Sequence, residues 1–152
     1  MMENKLLFVD YSTIYLENSW EWLNDFEIKN LTNTPNFSKE DQLSFYNLLP
    51  QKKDYYIRGI ELDNKPIGVC GLKKITSEDA EYWGYIGVKE YWGKGIGKFI
   101  INYLIGIAKE KSLKSIYLHV IESNIRAIKL YVKIGFEVEN TIDGLVKMRL
   151  IL

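Results

Sequence analysis

The sequence is short of the residues from which several common sites are built. Its 152 residues include one cysteine, Cys70, and one histidine, His119. A single cysteine can form neither a disulfide within the chain nor a CxxC motif, a composition typical of a reducing compartment. A zinc site built from several His and Cys ligands is excluded, and chemistry of the Ser–His–Asp type would have to use His119 itself. We therefore expect no metal and a cytoplasmic protein.

An excess of one charge and long apolar runs are also missing. Twenty Lys and Arg balance twenty Asp and Glu, so the net charge at pH 7 is zero and no global basic field exists for nucleic acid or anionic membrane. Charged residues interrupt every apolar run well short of the roughly 20 residues that span a bilayer. Residues 1–10 contain Glu3, Lys5 and Asp10 where a signal peptide has its apolar core. We predict no nucleic-acid partner and no membrane partner.

What the chain does contain is ample material for a core. Its hydrophobic fraction is 47%, with 4 Trp, 11 Tyr and 6 Phe, and a chain of this length buries roughly 70% of its unfolded surface on folding. No internal repeat, low-complexity stretch or linker rich in Pro, Gly or Ser divides it. Residues 1–152 are therefore predicted to form a single domain.

Hydrophobic periodicity predicts helices, then a run of strands, then alternation. We expect a strand at 6–9, a helix at 14–23, a loop at 31–37, a helix from Ser38, strands at 55–62, 66–74 and 81–88, a helix at 98–111, a strand at 115–121, a helix at 123–134, and strands at 136–141 and 145–152. Asp143-Gly144 is a hairpin signal between the last two strands. This order indicates an α/β or α+β domain with a mixed sheet. If the last strand lies at an edge, it would pair with a second chain.

A glycine-rich loop follows the third strand of the middle run and opens a helix. Gly93, Gly95 and Gly97 recur every second residue, so several backbone N–H groups can point at one ligand, beside the unpaired N–H groups and positive dipole end of the helix. This favours a phosphate or pyrophosphate site, the alternative being a tight turn without a ligand. A Walker motif is excluded because Phe99 stands where Ser or Thr is needed. The glycine spacing also differs from the dinucleotide fingerprint.

Two polar residues share one stripe of the last helix. Asn124, Ala127, Tyr131 and Ile134 fall three, four and three residues apart and so lie on one face. A buried Asn or Tyr needs hydrogen-bond partners. The stripe therefore predicts either ligand contacts or an N-cap Asn with a core Tyr.

These segments together resemble the GCN5-related N-acetyltransferases (GNAT). Residues 88–97, with the helix after them, resemble the acetyl-CoA-binding motif of that family, and residues 124–136 resemble its second signature. The resemblance is best over residues 81–139, whereas the N-terminal half fits in length and element order only. Trp92 departs from the usual Arg or Gln of the motif, but Tyr-Trp-Gly-Lys-Gly is similar to a branch containing ribosomal-protein and polyamine acetyltransferases.

The resemblance implies a fold and a cofactor. The fold is a mixed, mostly antiparallel sheet flanked by helices and splayed at the acetyl-CoA site. Pantetheine would pair with the backbone of the third middle strand, pyrophosphate would bind the loop N–H groups, and the last helix would contact the pantetheine arm. The implied acetyl-CoA contacts are Ile86, Gly87, Val88, Trp92, Gly93, Lys94, Gly95, Ile96, Gly97, Lys98, Asn124, Ala127 and Tyr131.

The reaction implied is direct attack of an amine on the thioester in a ternary complex. Free amines have a pKa near ~10, so a base must remove a proton. Glu81, His119 or a water is the candidate base, and Tyr131 would protonate the leaving thiolate. The alternatives are a solvated strand end for Glu81 and an ordinary surface residue for His119.

The acceptor is less constrained. The family's acceptor contacts come from the N-terminal helices and facing strands, which here offer Trp22, Asn24, Asp25, Thr32, Tyr82, Trp83 and Tyr85. Aromatic side chains with scattered polar groups suit a sugar or nucleotide. Residues 84–88 also resemble the enzymes that acetylate the 4-amino group of nucleotide-linked sugars, so we favour a nucleotide-linked amino sugar. A ribosomal-protein N-terminus or a polyamine is the alternative, although no dense acidic cluster appears. The alternative from another class is a non-catalytic acyl-CoA sensor. In either case we expect a monomer or a homodimer.

Overall fold

The computed structural model describes residues 5–152; residues 1–4 of the N-terminal segment considered above lie outside the described residues. The strands are β1 (Leu6–Asp10), β2 (Tyr56–Leu62), β3 (Lys65–Lys73), β4 (Asp79–Ile86), β5 (Ser115–Ile121), β6 (Glu137–Ile142) and β7 (Leu145–Ile151). The helices are α1 (Thr13–Asn24), α2 (Phe26–Leu31), α3 (Lys39–Leu48), α4 (Ile96–Glu110) and α5 (Ile125–Ile134), with 3₁₀ turns at Leu49–Gln51 and Lys89–Tyr91. The predicted element order is confirmed, except that the short helix α2 was not predicted.

The strands form one sheet in the order β1-β2-β3-β4-β5-β7-β6. Among the strands of residues 5–152, β4 and β5 pair in parallel and the other neighbours are antiparallel. The mixed, mostly antiparallel sheet is thus confirmed. The described edges are β1 and β6, because β7 lies between β5 and β6. The condition on which the last strand was expected to pair with a second chain is therefore not met.

Helices cover the sheet on both faces. Helix α4 buries Ile100, Ile101 and Leu104 in the same cluster as Ile60 of β2. Since successive strand residues face opposite ways, the neighbouring Gly59 faces the other side, where the ring of Tyr15 on α1 lies 2.4 Å from the position of a Cβ. The missing side chain is what lets α1 lie this close to the sheet.

Local signals read from the sequence account for two of the boundaries. Ser38 and Asp41 form a full capping box, with the Asp41 N–H donating to Ser38 Oγ at 3.0 Å and the Ser38 N–H donating to Asp41 Oδ2 at 2.9 Å. Asp143 and Gly144 have φ of +51° and +77°, the backbone of the hairpin turn that joins β6 to β7. None of the helices described between residues 5 and 152 has the length and apolar character needed to cross a membrane.

Candidate active site

A gap opens in the middle of the sheet. In the parallel pairing of β4 with β5, Asp79 pairs with Ser115, Ala80 with Ile116 and Glu81 with Tyr117. Residues 82–86 of β4 have no described strand partner on this side. Strand β5 instead stays paired with β7 through Ile121. The two strands therefore diverge and leave a cleft of about 970 Å³ between them.

The glycine loop lies at this cleft. Gly93 and Gly95 have φ of +72° and +82°, and Gly95 is the N-cap of α4. A Cβ at Gly95 would meet no atom within 4 Å, so it would project into open space. An N-cap glycine has no side chain to occupy the first N–H groups of α4. They and the positive helix end remain available to an anion.

Trp92 ties the loop to the end of β4. Its indole Nε1–H donates to the carbonyl oxygen of Ile86 at 2.9 Å. The residue that departs from the family pattern therefore holds the start of the loop against the strand. The sequence showed the departure and left this bond unpredicted.

Helix α5 brings its polar stripe to the other wall of the cleft. Asn124 is the N-cap of the helix, because its Oδ1 accepts the Ala127 N–H at 3.3 Å. The N-cap role was one of the two predicted alternatives. Both residues also line the cleft. Arg126, which sequence reasoning missed, also lines the cleft, and its guanidinium lies 3.7 Å from the Cβ position of Gly93. Its signal was a basic residue in the helix turn that follows Asn124.

The two candidate bases form one pair. Nδ1 of His119 lies 3.0 Å from Glu81 Oε2, joining β5 to β4 where their pairing stops. The Glu81 side chain is 8% exposed and that of His119 is 33% exposed. The ammonium groups of Lys73 and Lys74 lie 3.8 and 3.7 Å from the Glu81 carboxylate. A nearly buried carboxylate needs such partners.

The family follows from comparison with known proteins. A model described as "Acetyltransferase (GNAT) family" matches residues 16–136. The chain belongs to the GNAT family. The spermine/spermidine N(1)-acetyltransferase of Bacillus subtilis strain 168 is 41% identical to this GNAT chain over 56 residues, which is 36% of this chain and 37% of that protein. The alignment thus spans little more than a third of this curated relative.

Solved structures show the same GNAT fold over nearly the whole chain. Spermidine N-acetyltransferase from Vibrio cholerae, in complex with CoA and spermine, has a TM-score of 0.86 at 24% identity, covering 96% of this chain and 95% of that one. The Campylobacter jejuni N-acetyltransferase PseH, in complex with acetyl coenzyme A, has a TM-score of 0.74 at 20% identity, covering 98% and 99%.

Tyr131 lines the cleft of this GNAT domain and is half-buried. Its ring packs against those of Tyr82 and Phe136, at centroid distances of 6.2 and 5.7 Å. Burial raises the pKa of Tyr131 to about 12. The hydroxyl therefore stays protonated at neutral pH, and it is a weaker acid than the sequence alone led us to expect.

Most of the predicted cofactor contacts line the cleft: Ile86, Trp92, Gly93, Gly95, Ile96, Gly97, Lys98, Asn124, Ala127 and Tyr131. Gly87, Val88 and Lys94 do not. The ring of Trp22 lies 2.2 Å from the Cβ position of Gly87, whose N–H donates to the Ile67 carbonyl oxygen at 2.7 Å. Gly87 therefore serves the packing of α1 against the sheet.

The predicted acceptor contacts divide into two groups. Thr32, Tyr82, Trp83 and Tyr85 line the cleft, whereas Trp22, Asn24 and Asp25 do not. The Asn24 amide donates to a carbonyl oxygen of its own helix, and Asp25 caps α2 and pairs with the Lys89 ammonium at 2.8 Å. The Asp25 carboxylate is thus engaged by the first N–H groups of α2, a helix that was not predicted.

Below, the loop residues 92–98 with Asn124, Ala127 and Tyr131 are called the cofactor side, and Glu81, His119, Thr32, Trp83 and Tyr85 the acceptor side. Residues 5–152 hold no group of three or more His, Cys, Asp or Glu side chains placed to bind a metal ion. The chemistry available in the cleft is thus a hydrogen-bonded acid–base pair, a half-buried phenol and a loop of backbone donors.

Proposed function

We propose that this chain transfers the acetyl group of acetyl-CoA to the primary amine of a small molecule. One observation carries the proposal: the Glu81–His119 pair, the Tyr131 phenol and the glycine loop all line a single cleft where β4 and β5 part. Membership of the GNAT family supports the same activity.

The cofactor side fits a CoA-type ligand. Gly95 leaves open space beside the uncapped N–H groups of α4, which suits a pyrophosphate. Residues 82–85 have no ladder partner on β5, so their backbone groups on that side suit the amides of an extended pantetheine. Lys98 and Arg126 add positive charge to the lining. The bound thioester would supply the activated acetyl group.

The acceptor side would take up the proton that the amine must lose. We assign the Nδ1–H of His119 as the donor to the Glu81 carboxylate, which leaves Nε2 as the free basic nitrogen. The carboxylate would hold this tautomer and stabilise the imidazolium that forms. In this proposal His119 is the base and Glu81 is its partner. Two of the three candidate bases that the sequence left open therefore act together.

Tyr131 would serve the leaving thiolate. A thiol has an ordinary pKa near ~8.5, so proton transfer from a phenol whose pKa burial raises to about 12 is uphill. The hydroxyl therefore acts first as a hydrogen-bond donor to the sulfur. Its packing against the rings of Tyr82 and Phe136 would hold it in position for that role.

For the acceptor we favour a nucleotide-linked amino sugar. Among the described residues that line the cleft, Glu81 is the one carboxylate, and Lys73, Lys74, Lys98 and Arg126 are cationic. A cleft with this charge attracts an anionic substrate and repels a polycation. A polyamine is the second candidate, because the Bacillus subtilis relative is a spermine/spermidine acetyltransferase.

Thiol release from acetyl-CoA tests these statements directly. We expect release with a nucleotide-linked amino sugar, at a higher kcat/KM than with spermidine or with a peptide bearing a free N-terminus. A higher kcat/KM for spermidine would transfer the proposal to polyamines. Tight CoA binding with no release for any amine would instead favour the non-catalytic sensor.

A further inference from the structure

We propose that this chain acetylates itself on Lys73, with its own bound acetyl-CoA as the donor. The inference rests on the proposed function, because it uses the same donor and the same acid–base pair. The observation that carries it is a primary amine already in place. The Lys73 ammonium lies 3.8 Å from Glu81 Oε2, in the cleft where an acceptor amine would lose its proton.

The register of the sheet places Lys73 beside Glu81. Lys73 is the last residue of β3 and the direct cross-strand partner of Glu81 on β4. Side chains directly opposite in an antiparallel pair project from the same face of the sheet. Lys73 therefore shares a face with Glu81 and Trp83, and all three line the cleft. The backbone pairing itself thus brings a lysine amine to the acid–base pair.

One carboxylate oxygen serves both the amine and the base. Glu81 Oε2 lies 3.8 Å from the Lys73 ammonium and 3.0 Å from His119 Nδ1. The Lys74 ammonium lies instead 3.7 Å from the other oxygen, Oε1. The Lys74 side chain is 68% exposed, against 38% for Lys73. Lys73 is therefore both the closer amine to the His119 side of the carboxylate and the more enclosed one.

The transfer from acetyl-CoA to Lys73 needs no further reactant. The flexible four-carbon stem lets the amine swing from Glu81 to the thioester, where Nζ attacks the carbonyl carbon. A C–N bond forms and the C–S bond breaks. Of the two protons that the ammonium loses, one goes to the thiolate to give free CoA and the other leaves through His119 to solvent. The product is an uncharged amide, so each chain accepts one acetyl group at this site.

The test uses the full chain with acetyl-CoA and no added amine. Intact mass follows the acetylation, and peptide mapping by mass spectrometry assigns the site. Lys65 is the matched control, because it begins the same strand, is exposed and lies outside the cleft lining. Spontaneous acetylation would modify this exposed lysine at least as fast as Lys73. Each reaction is run at two protein concentrations that differ about tenfold, since a step within one molecule does not depend on that concentration.

We expect Lys73 to be acetylated at least about tenfold faster than Lys65, because donor and amine are held in one molecule. The rate constant should be the same at both protein concentrations. Glu81→Gln, which removes the partner of the base, and Gly95→Glu, which blocks the cofactor side, should each abolish the difference. Glu78→Gln, at an exposed acid, should retain it. The comparison of the two lysines in the unmutated chain carries the test even if a variant does not fold.

Two results would overturn the inference. One is acetylation of Lys65 or Lys74 at least as fast as that of Lys73. The other is a Lys73 rate constant that rises with protein concentration, which would mean that one chain acetylates another. Thiol release with an added amine, but no selective acetylation of Lys73, contradicts the self-acetylation alone. Selective acetylation without release for any added amine supports it while contradicting transfer to a small molecule, so the two proposals fail separately.

Discussion

The two sides of the cleft are built by different means. The cofactor side presents mainly backbone N–H groups from one contiguous segment, residues 92–98, supported by the first turns of α5. The acceptor side presents side chains from β4, β5 and the region that follows α2. Backbone recognition needs only the right φ values and empty space, and glycine spacing displays both in the sequence. Side-chain recognition depends on which distant residues the sheet brings together.

The largest effect should come from filling the cofactor side. Gly95→Glu adds a carboxylate and places a side chain at φ +82°, so we expect CoA affinity measured by calorimetry to fall at least about 1,000-fold, or about 4 kcal/mol. Gly106→Glu is the matched control, because it makes the same change at an exposed position of the same helix with nothing within 4 Å. Normal CoA affinity in Gly95→Glu would refute the placement of the pyrophosphate.

The acceptor side should respond in turnover and not in cofactor affinity. Glu81→Gln removes the carboxylate that partners His119, so we expect kcat to fall about 100-fold, a typical loss for acid–base catalysis. The calorimetric affinity for CoA should stay within about twofold, less than 0.5 kcal/mol. Glu78→Gln, an exposed acid paired with Lys114, is the control. Equal losses of kcat and CoA affinity in Glu81→Gln would erase the distinction between the two sides.

Tyr131 is the one catalytic side chain assigned to the cofactor side. Tyr131→Phe should lower turnover about tenfold, below the usual range for a general acid because this phenol is a weak acid. CoA binding should be nearly unchanged. Because burial raises the pKa of Tyr131 to about 12, its hydroxyl stays protonated as the pH rises toward 11. The ratio of wild-type to variant rates should therefore stay constant from pH 7 to pH 10.

The control for Tyr131→Phe is Tyr103→Phe. Tyr103 does not line the cleft, and its hydroxyl forms a hydrogen bond with the Tyr56 hydroxyl at 2.6 Å. It should leave turnover unchanged. A rate in Tyr131→Phe equal to that of the unmutated chain at every pH would remove the phenol from the mechanism.

The smallest effect should come from the support of the loop. Trp92→Phe keeps an aromatic ring and loses the bond from the indole to the Ile86 carbonyl oxygen. One such bond contributes about 1 kcal/mol, so CoA affinity should fall about fivefold. Turnover at saturating acetyl-CoA should be retained, as stopped-flow and steady-state rates can show. A loss as large as that of Gly95→Glu would mean that the side chain, and not the backbone, holds the ligand.

The sequence prediction of the cofactor side rests on local signals. The glycine spacing, the N-cap Asn124 and the stripe leading to Tyr131 all lie within short segments. The order of elements and the mixed sheet followed from periodicity for the same reason. The bond from Trp92 and the position of Arg126 depend on how two segments meet, and they were missed.

The sequence prediction of the acceptor side rests on residues that lie far apart in the chain. Glu81 and His119 lie 38 residues apart and meet through the parallel pairing of β4 with β5, so the sequence left them as rival bases. Trp22 and Asp25 were expected at the acceptor, but close packing on Gly87 and the cap of α2 occupy them. The position of Trp22 comes from packing of α1 on the sheet, which no local pattern encodes, whereas the cap at Asp25 is a local signal that the sequence analysis did not use.

The point where β4 and β5 separate has a consequence for which parts of the cleft can differ among related GNAT chains. Glu81 is the last residue of β4 that pairs with β5, and the His119 side chain reaches it across the opening. The residues that line a neighbouring cavity of about 410 Å³ lie, by contrast, largely within the first 55 positions, and the rest are on β2, β3 and β4. Substitutions in the first 55 positions can therefore reshape most of this cavity without moving Glu81 or His119. The shape of the cavity can then diverge among related chains while the gap between β4 and β5 keeps one geometry.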